Sequence, residues 1–158
     1  MDLLQVGATW LHLLATVALL GFYAILGAIV LPAIRGVVPD RELGEAIVAI
    51  ERRATPLIVA SLAAFLATGV FLMVTSPRYG GVGEVAGSAW ATLLLTKHGV
   101  IAIMVGIGVY IDALVVRGFA TPGSVGQAAA VRRLAIASWA MTILGAVVLL
   151  LTAAAQEG

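Results

Sequence analysis

Four long apolar runs dominate the chain and limit what it can fold into. They cover about residues 8–34, 55–75, 89–116 and 134–154, and each is long enough to cross a bilayer, which takes about 20 apolar residues. These runs must be helices, because a lone strand cannot satisfy its backbone hydrogen bonds in lipid. Of the 158 residues, 62% are hydrophobic and 11% are charged, far from the balance of a soluble domain. The sequence therefore predicts an all-α integral membrane protein with one four-helix domain over residues 1–158.

Composition excludes several classes of function. The net charge is +1, so the chain lacks the basic surface that nucleic acid requires. It contains no cysteine, which excludes disulfides, thiolate metal sites and iron–sulfur clusters. The first apolar run lacks a preceding basic segment and is too long for a signal peptide, so we expect it to stay as the first span. No hydrolase triad, no pair of carboxylates within the membrane and no phosphate-binding glycine motif is recognisable.

Prolines mark the boundaries of the first two spans. Pro32 is expected to break or kink the first span near its end, and Pro56 falls in the first turn of the second span, where its missing N–H costs nothing. Residues 40–54 are amphipathic, with Asp40 as the expected N-cap. They form either a helix on the membrane surface or an extension of the second span, and the extension is the favoured interpretation.

The basic residues are distributed unevenly between the loops. The positive-inside rule therefore predicts that the first and third loops are cytoplasmic and that both termini are extracytoplasmic, in a bacterial-type inner membrane. Short loops favour an up-down-up-down bundle. Seven of the nine basic residues belong to the first and third loops and their flanks, and two belong to the second: Arg35, Arg41, Arg52, Arg53, Arg117, Arg132 and Arg133 against Arg78 and Lys97.

The two histidines of the chain, His12 and His98, both lie early in a span. Because spans one and three run in the same direction, both imidazoles are expected at similar depth near the outer face. Ionisable residues within a span indicate a functional site. Spans one and three lie diagonally in such a bundle, roughly 11–14 Å apart, and an iron held between two inward imidazoles fits that gap. The sequence therefore predicts a b-type haem between His12 and His98, with copper as the alternative metal.

Small and polar residues follow each histidine at helical spacing, which predicts two inward faces. Gly99, Gly106 and Gly108 would let a flat ligand or another helix approach span three, although ordinary close packing of membrane helices uses the same residues. The two predicted faces are His12, Thr16, Leu19, Tyr23 and Gly27 on span one, and His98, Ala102, Gly106 and Val109 on span three.

Four further residues are candidates for chemistry. Lys97 and Arg78 lie on the outer side and would pair with haem propionates, or simply extend to the lipid headgroups. Met73, near the outer end of span two, is either a soft copper ligand or a packing residue. Asp112 is the one acid deep in a predicted span, and an ion pair with arginines of the third loop is its favoured role.

Short motifs carry a family resemblance. The chain resembles the four-helix core of copper-resistance protein D (CopD) domains, and also the HemJ-type protoporphyrinogen oxidases, which carry a b-type haem. The resemblance covers about residues 8–116 and depends on Trp10-Leu11-His12-Leu13-Leu14-Ala15, on Glu51-Arg52-Arg53 before Pro56, on Thr68-Gly69, and on Trp90 followed at fixed spacing by Leu95 and Lys97.

The resemblance implies two kinds of activity. CopD-like proteins handle copper at the inner membrane, and HemJ-like proteins use a histidine and a lysine near the haem, to which His12 and Lys97 correspond. This chain lacks the extra spans and the copper-loading loop of full-length CopD proteins, and His98 directly follows Lys97. We therefore expect an electron-transfer or anchor subunit of a membrane complex, with a quinone or an extracytoplasmic electron carrier as partner. Copper transport, a purely structural subunit and a HemJ-like oxidase are the alternatives.

Overall fold

The computed structural model describes residues 2–77, 89–119 and 126–157, and it is helical over nearly all of them. The first helix is continuous, because α1 (Leu3–Ile25), a π-helical segment (Leu26–Val30) and α2 (Leu31–Val37) follow one another directly. The other helices are α3 (Asp40–Val74), α4 (Ala89–Gly118) and α5 (Gly126–Glu157).

Four helices are long and apolar enough to cross a membrane. They are Leu3–Val37, Glu42–Val74, Thr92–Gly118 and Gly126–Ala155. The chain is therefore a multi-pass membrane protein, and the predicted four-helix membrane bundle is confirmed. Helix α1 packs against α3 and α5, α4 packs along α5, and α3 touches α4 only weakly. Helices α1 and α4 thus occupy opposite corners of the bundle, as the up-down arrangement predicts.

The buried apolar core lies at one end of the bundle. We call this the inner end, following the predicted orientation; there α2 leads to α3, and α4 and α5 approach each other. The Gln127 side chain donates a hydrogen bond to the Asp40 carbonyl over 2.8 Å, which ties the start of α5 to the start of α3. The cluster around this contact includes Leu31, Leu43, Ile47, Ile111, Val115, Phe119, Val131 and Leu134.

The helices extend beyond the apolar runs that predicted them. Residues 40–54 belong to α3, so the favoured interpretation as a helical extension is confirmed. Helix α5 starts at Gly126, well before the predicted residue 134. Hydropathy identifies only the stretch that lipid covers, whereas charged residues continue a helix into the interface. Pro39 is the N-cap of α3, so Asp40 is not the N-cap as predicted but an acid in the first turn, where it complements the helix dipole.

Pro32 and Pro56, which were expected to mark span boundaries, both lie inside helices. The chain stays helical through Pro32, which the π-helical segment directly precedes. A proline ring clashes with the carbonyl four residues earlier, here that of Ala28, and the wider π turn provides room for it. The expectation that Pro56 lies in a first turn is wrong, because α3 begins at Asp40 and Pro56 is interior. Pro56 therefore leaves the Arg52 carbonyl without its usual N–H donor.

Close helix contacts occur at other glycines than those expected. At Gly99 and Gly106 an added Cβ atom would meet nothing within 4 Å. At Gly118, by contrast, it would lie 2.9 Å from the Ala130 Cβ atom, and at Gly27 it would lie 3.3 Å from the Ser138 Cβ atom. Small residues therefore bring α5 close to α4 and to the first helix.

Candidate functional site

His12 is held by one turn of α3. Its Nδ1 atom lies 2.9 Å from the Thr68 Oγ1 atom and 3.1 Å from the Phe65 carbonyl oxygen. The imidazole stacks on the Phe65 ring, with 4.5 Å between centroids and 20° between planes. A Cβ atom at Gly69 would lie 3.2 Å from the His12 Cε1 atom, so glycine leaves the room that the ring occupies. The Thr68-Gly69 pair of the sequence motif thus forms the seat of His12.

These partners determine which nitrogen of His12 carries the proton. The Phe65 carbonyl can only accept a hydrogen bond, and the Thr68 hydroxyl already donates to the Ala64 carbonyl over 2.6 Å. The His12 Nδ1–H group is therefore the donor to both oxygens. In the neutral ring, this leaves the Nε2 lone pair available. Metal-ligating histidines are commonly oriented in this way, with one ring nitrogen donating to a protein oxygen.

Lys97 belongs to the same region. Its ammonium lies within electrostatic range of the His12 imidazole, and its side chain is half-buried on α4. Since His12 is on α1 and Lys97 is on α4, the two residues approach each other from opposite corners of the bundle. The predicted site residues His12 and Lys97 thus lie within electrostatic range of each other.

His98 does not face the interior of the bundle. It is exposed, and its Nδ1–H group donates to the Leu94 carbonyl of its own helix over 2.7 Å. Ala102, Gly106 and Val109 are exposed with it, so the predicted inward face of α4 is wrong; Val109 borders the cavity between the helices but is itself 67% exposed. Within one chain, His12 and His98 therefore do not face each other across the bundle.

The predicted inward face of α1 is confirmed. Thr16, Tyr23 and Gly27 are buried, and Leu19 lines the interior. On α4, the cavity is lined by Ile101, Met104, Val105, Gly108, Val109 and Asp112. Helix α4 is apolar on all sides, and such a helix carries no pattern from which its inward face is readable.

The other predicted site residues contribute less. Arg78 lies outside the described residues. Met73 is half-buried near the outer end of α3. No group of three or more histidine, aspartate or glutamate side chains within residues 2–77, 89–119 and 126–157 is arranged to hold a metal ion. Haem iron needs only one or two protein ligands, because the porphyrin supplies four.

A cavity of about 370 Å³ lies between the four long helices, within the size range of small-molecule sites. Its walls are mainly aliphatic side chains, together with Phe65 and two methionines. Its polar lining residues are Thr16, Tyr23, Glu51, Thr55 and Asp112. The bundle therefore contains a partly open apolar space with hydroxyl and carboxyl groups in its wall.

Three of these polar residues converge toward the inner end. Glu51 is only 8% exposed and Tyr23 only 3%, and the Glu51 carboxyl lies within electrostatic range of both Asp112 and Tyr23. Within the described part of the chain, the Glu51 carboxylate has no hydrogen bond or ion pair. Every fully enclosed polar side-chain atom in this part of the chain has a hydrogen-bond partner. The unpartnered Glu51 oxygens are therefore not fully enclosed, and they open onto the cavity that Glu51 lines.

Sequence reasoning missed this acidic pair. It found no carboxylates paired within the membrane, because Glu51 was placed in a charged extension together with Arg52 and Arg53. A usable signal was present, since Glu51 follows Leu43 and Ile47 at steps of four and so shares their buried face. Asp112 was expected in an ion pair with arginines, and the structure instead places it on the cavity wall.

Comparisons with known proteins found no relative. No protein-family model matches the chain, and neither a curated protein nor a solved structure is significantly similar to it. The resemblance to CopD and HemJ-type domains thus remains a prediction from short motifs. Two features of the bundle bear on function, the seat of His12 at the outer end and the cavity with its acidic pair.

Proposed function

We propose that the chain binds one b-type haem at the outer end of the bundle, with His12 Nε2 as an axial ligand. The observation that carries this proposal is the fixed Nδ1–H group of His12, which leaves Nε2 available. The chain then acts as an electron-transfer or anchor subunit of a complex in a bacterial-type inner membrane. Its partners are a quinone or an extracytoplasmic electron carrier.

The donors that are present suit haem better than copper. A copper ion takes all its ligands from the protein, and the described residues offer no cluster of histidines and carboxylates for it. Haem requires one well-oriented imidazole and apolar surroundings. His12 meets the first need through Thr68 and the Phe65 carbonyl, and the stacked Phe65 ring provides one apolar contact toward the second. When bound, haem supplies one-electron chemistry.

Two roles are open to Lys97 in this proposal. Its amine is either a second axial ligand or the partner of a propionate, and these roles respond differently to substitution. Lys97→Arg keeps the positive charge but not the amine, so it preserves a propionate contact and removes an axial ligand. A changed low-spin spectrum in Lys97→Arg assigns the axial role, and an unchanged spectrum assigns the propionate role.

The decisive experiment is a reduced-minus-oxidised absorption spectrum of the purified protein in mild detergent, with iron and copper counted on the same sample. We expect a sharp b-type band and about one iron per chain. His12→Ala should abolish this band. His98→Ala is the matched control and should keep it, because His98 lies on the exposed face of α4.

Other results separate the alternatives. Loss of the band in both histidine variants would favour the predicted haem site between His12 and His98. His98 would then have to reach the haem in an arrangement other than this single bundle. A band that survives in His12→Ala would refute the proposal. Bound copper without haem would indicate copper handling, and the absence of both would leave a structural subunit.

A further inference from the structure

We infer that the cavity between the four helices binds a neutral, membrane-dissolved molecule with a hydroxylated ring, a quinol or a close chemical relative, whose hydroxyl groups meet Glu51 and Tyr23. This site is distinct from the seat of His12, and the inference does not require that haem be bound. It rests on the shape of the cavity, on the chemistry of its inner end and on the charges around it.

The walls of the cavity suit an apolar body. Leu19, Ile58, Leu62, Ile101 and Val148 all line it, so each of the four long helices contributes an aliphatic side chain. Helix α3 touches α4 only weakly, which makes the α3–α4 side the route from the lipid. A molecule dissolved in the bilayer can therefore reach the cavity without crossing water.

The inner end suits a head group that donates hydrogen bonds. A buried carboxylate without a hydrogen bond is costly in apolar surroundings, and the Glu51 oxygens open onto the cavity. A ligand hydroxyl supplies the missing donor. The Tyr23 hydroxyl lies 3.9 Å from the position of a Cβ atom at Gly108, so it points across the cavity toward α4. It is placed to donate to an oxygen of the same ligand.

The charges around Glu51 favour a neutral head group over a cation. Arg52 and Arg53 follow Glu51 directly, and both are exposed. The charges of the two arginines therefore balance those of the two carboxylates, Glu51 and Asp112, and the four side chains carry no net charge together. A hydroxylated ring satisfies the carboxylate without adding another positive charge to that turn.

Two glycines of α4 provide a matched pair of variants. Gly108 lines the cavity, whereas Gly106 is exposed and an added Cβ atom there meets nothing within 4 Å. A leucine at position 108 would fill space that the ligand needs, and a leucine at position 106 would point away from it. The two substitutions change helix propensity equally, so a difference between them reports on the cavity.

The test uses the full chain in mild detergent and a short-tailed benzoquinol, kept reduced, with binding measured by equilibrium dialysis. We expect saturable binding at about one quinol per chain, and unchanged binding in Gly106→Leu. Binding should be lost in Gly108→Leu. It should weaken several-fold in Glu51→Gln, where a neutral amide oxygen replaces the charged acceptor, and several-fold in Tyr23→Phe, where a hydroxyl donor is lost.

A second measurement uses the unmodified chain, so that misfolding of a variant cannot mislead. A lipophilic carbodiimide should label Glu51, as read by mass spectrometry, and the benzoquinol should slow that labelling. Equal quinol binding in the two leucine variants, or full binding in both Glu51→Gln and Tyr23→Phe, would overturn the inference. If the cation tetraphenylphosphonium slowed the labelling of Glu51 as strongly as the quinol does, the inference would also be overturned. Loss of a haem band in Gly108→Leu would overturn it too, because that result would assign the cavity to haem.

Discussion

Replacing Thr68 by valine tests how His12 is oriented in the proposed haem site. The substitution preserves the shape of the side chain and removes the oxygen that lies 2.9 Å from the His12 Nδ1 atom. One such hydrogen bond contributes about 1 kcal/mol net, and loss of a partner that orients a metal ligand typically costs 10–100-fold in affinity. Because the Phe65 carbonyl still accepts from Nδ1–H, we expect the lower limit, a roughly tenfold rise in the haem Kd.

The assay is a spectrophotometric haem titration of purified apoprotein, and Thr142→Val is the control. The Thr142 hydroxyl donates to the Ser138 carbonyl over 2.9 Å. Thr68 makes the same kind of bond to the Ala64 carbonyl of its own helix. Unlike Thr68, Thr142 has no histidine among its described contacts. We expect the Thr142→Val protein to bind haem like the wild type. Equal Kd values in the two threonine variants would refute the orienting role of Thr68.

The other predictions concern stability in mixed detergent micelles, measured by far-UV circular dichroism during titration with a denaturing detergent. Gly118→Ala should lower the free energy of unfolding by about 1–3 kcal/mol, because the new methyl group overlaps the Ala130 Cβ atom. Gly106→Ala, in open space, should raise the free energy of unfolding by about 0.5–1 kcal/mol. An equal effect of the two substitutions would contradict the role assigned to packing at Gly118. Pro56→Ala should raise the free energy of unfolding by up to about 3 kcal/mol, since it restores a donor for the Arg52 carbonyl; no gain would show that this carbonyl is already satisfied.

The number and kind of the spans followed from the sequence because lipid leaves a chain few choices. An apolar run of sufficient length must be a helix, and short loops bring successive helices together. The positions of the helix ends could not be predicted from the sequence in the same way. The charged residues at the start of α3 and α5 lie outside the hydropathy signal, and only contacts such as that of Gln127 with the Asp40 carbonyl show that they are helical and packed.

The candidate site followed only in part, for reasons that differ between residues. His12 was identified because an ionisable side chain within a span is rare, and its partner Thr68 was part of a motif. His98 satisfied the same criterion, yet it is exposed. Rarity and depth do not determine the rotation of a helix that is apolar on every side. Glu51 was missed because its charged neighbours concealed its place on a buried face.

Phe65 connects the two features of the bundle. Its ring stacks on His12 and also lines the cavity, so a molecule in the cavity and the orientation of the imidazole share one side chain. His12 does not line the cavity, and it lies eleven residues from Tyr23 on α1, or about 16 Å along the helix. Direct contact between a ligand head at Tyr23 and His12 is therefore excluded. Coupling between the two sites would pass through residues that touch both, such as Phe65 and Thr16, whose hydroxyl donates to the His12 carbonyl. Thermodynamic linkage would make that coupling reciprocal.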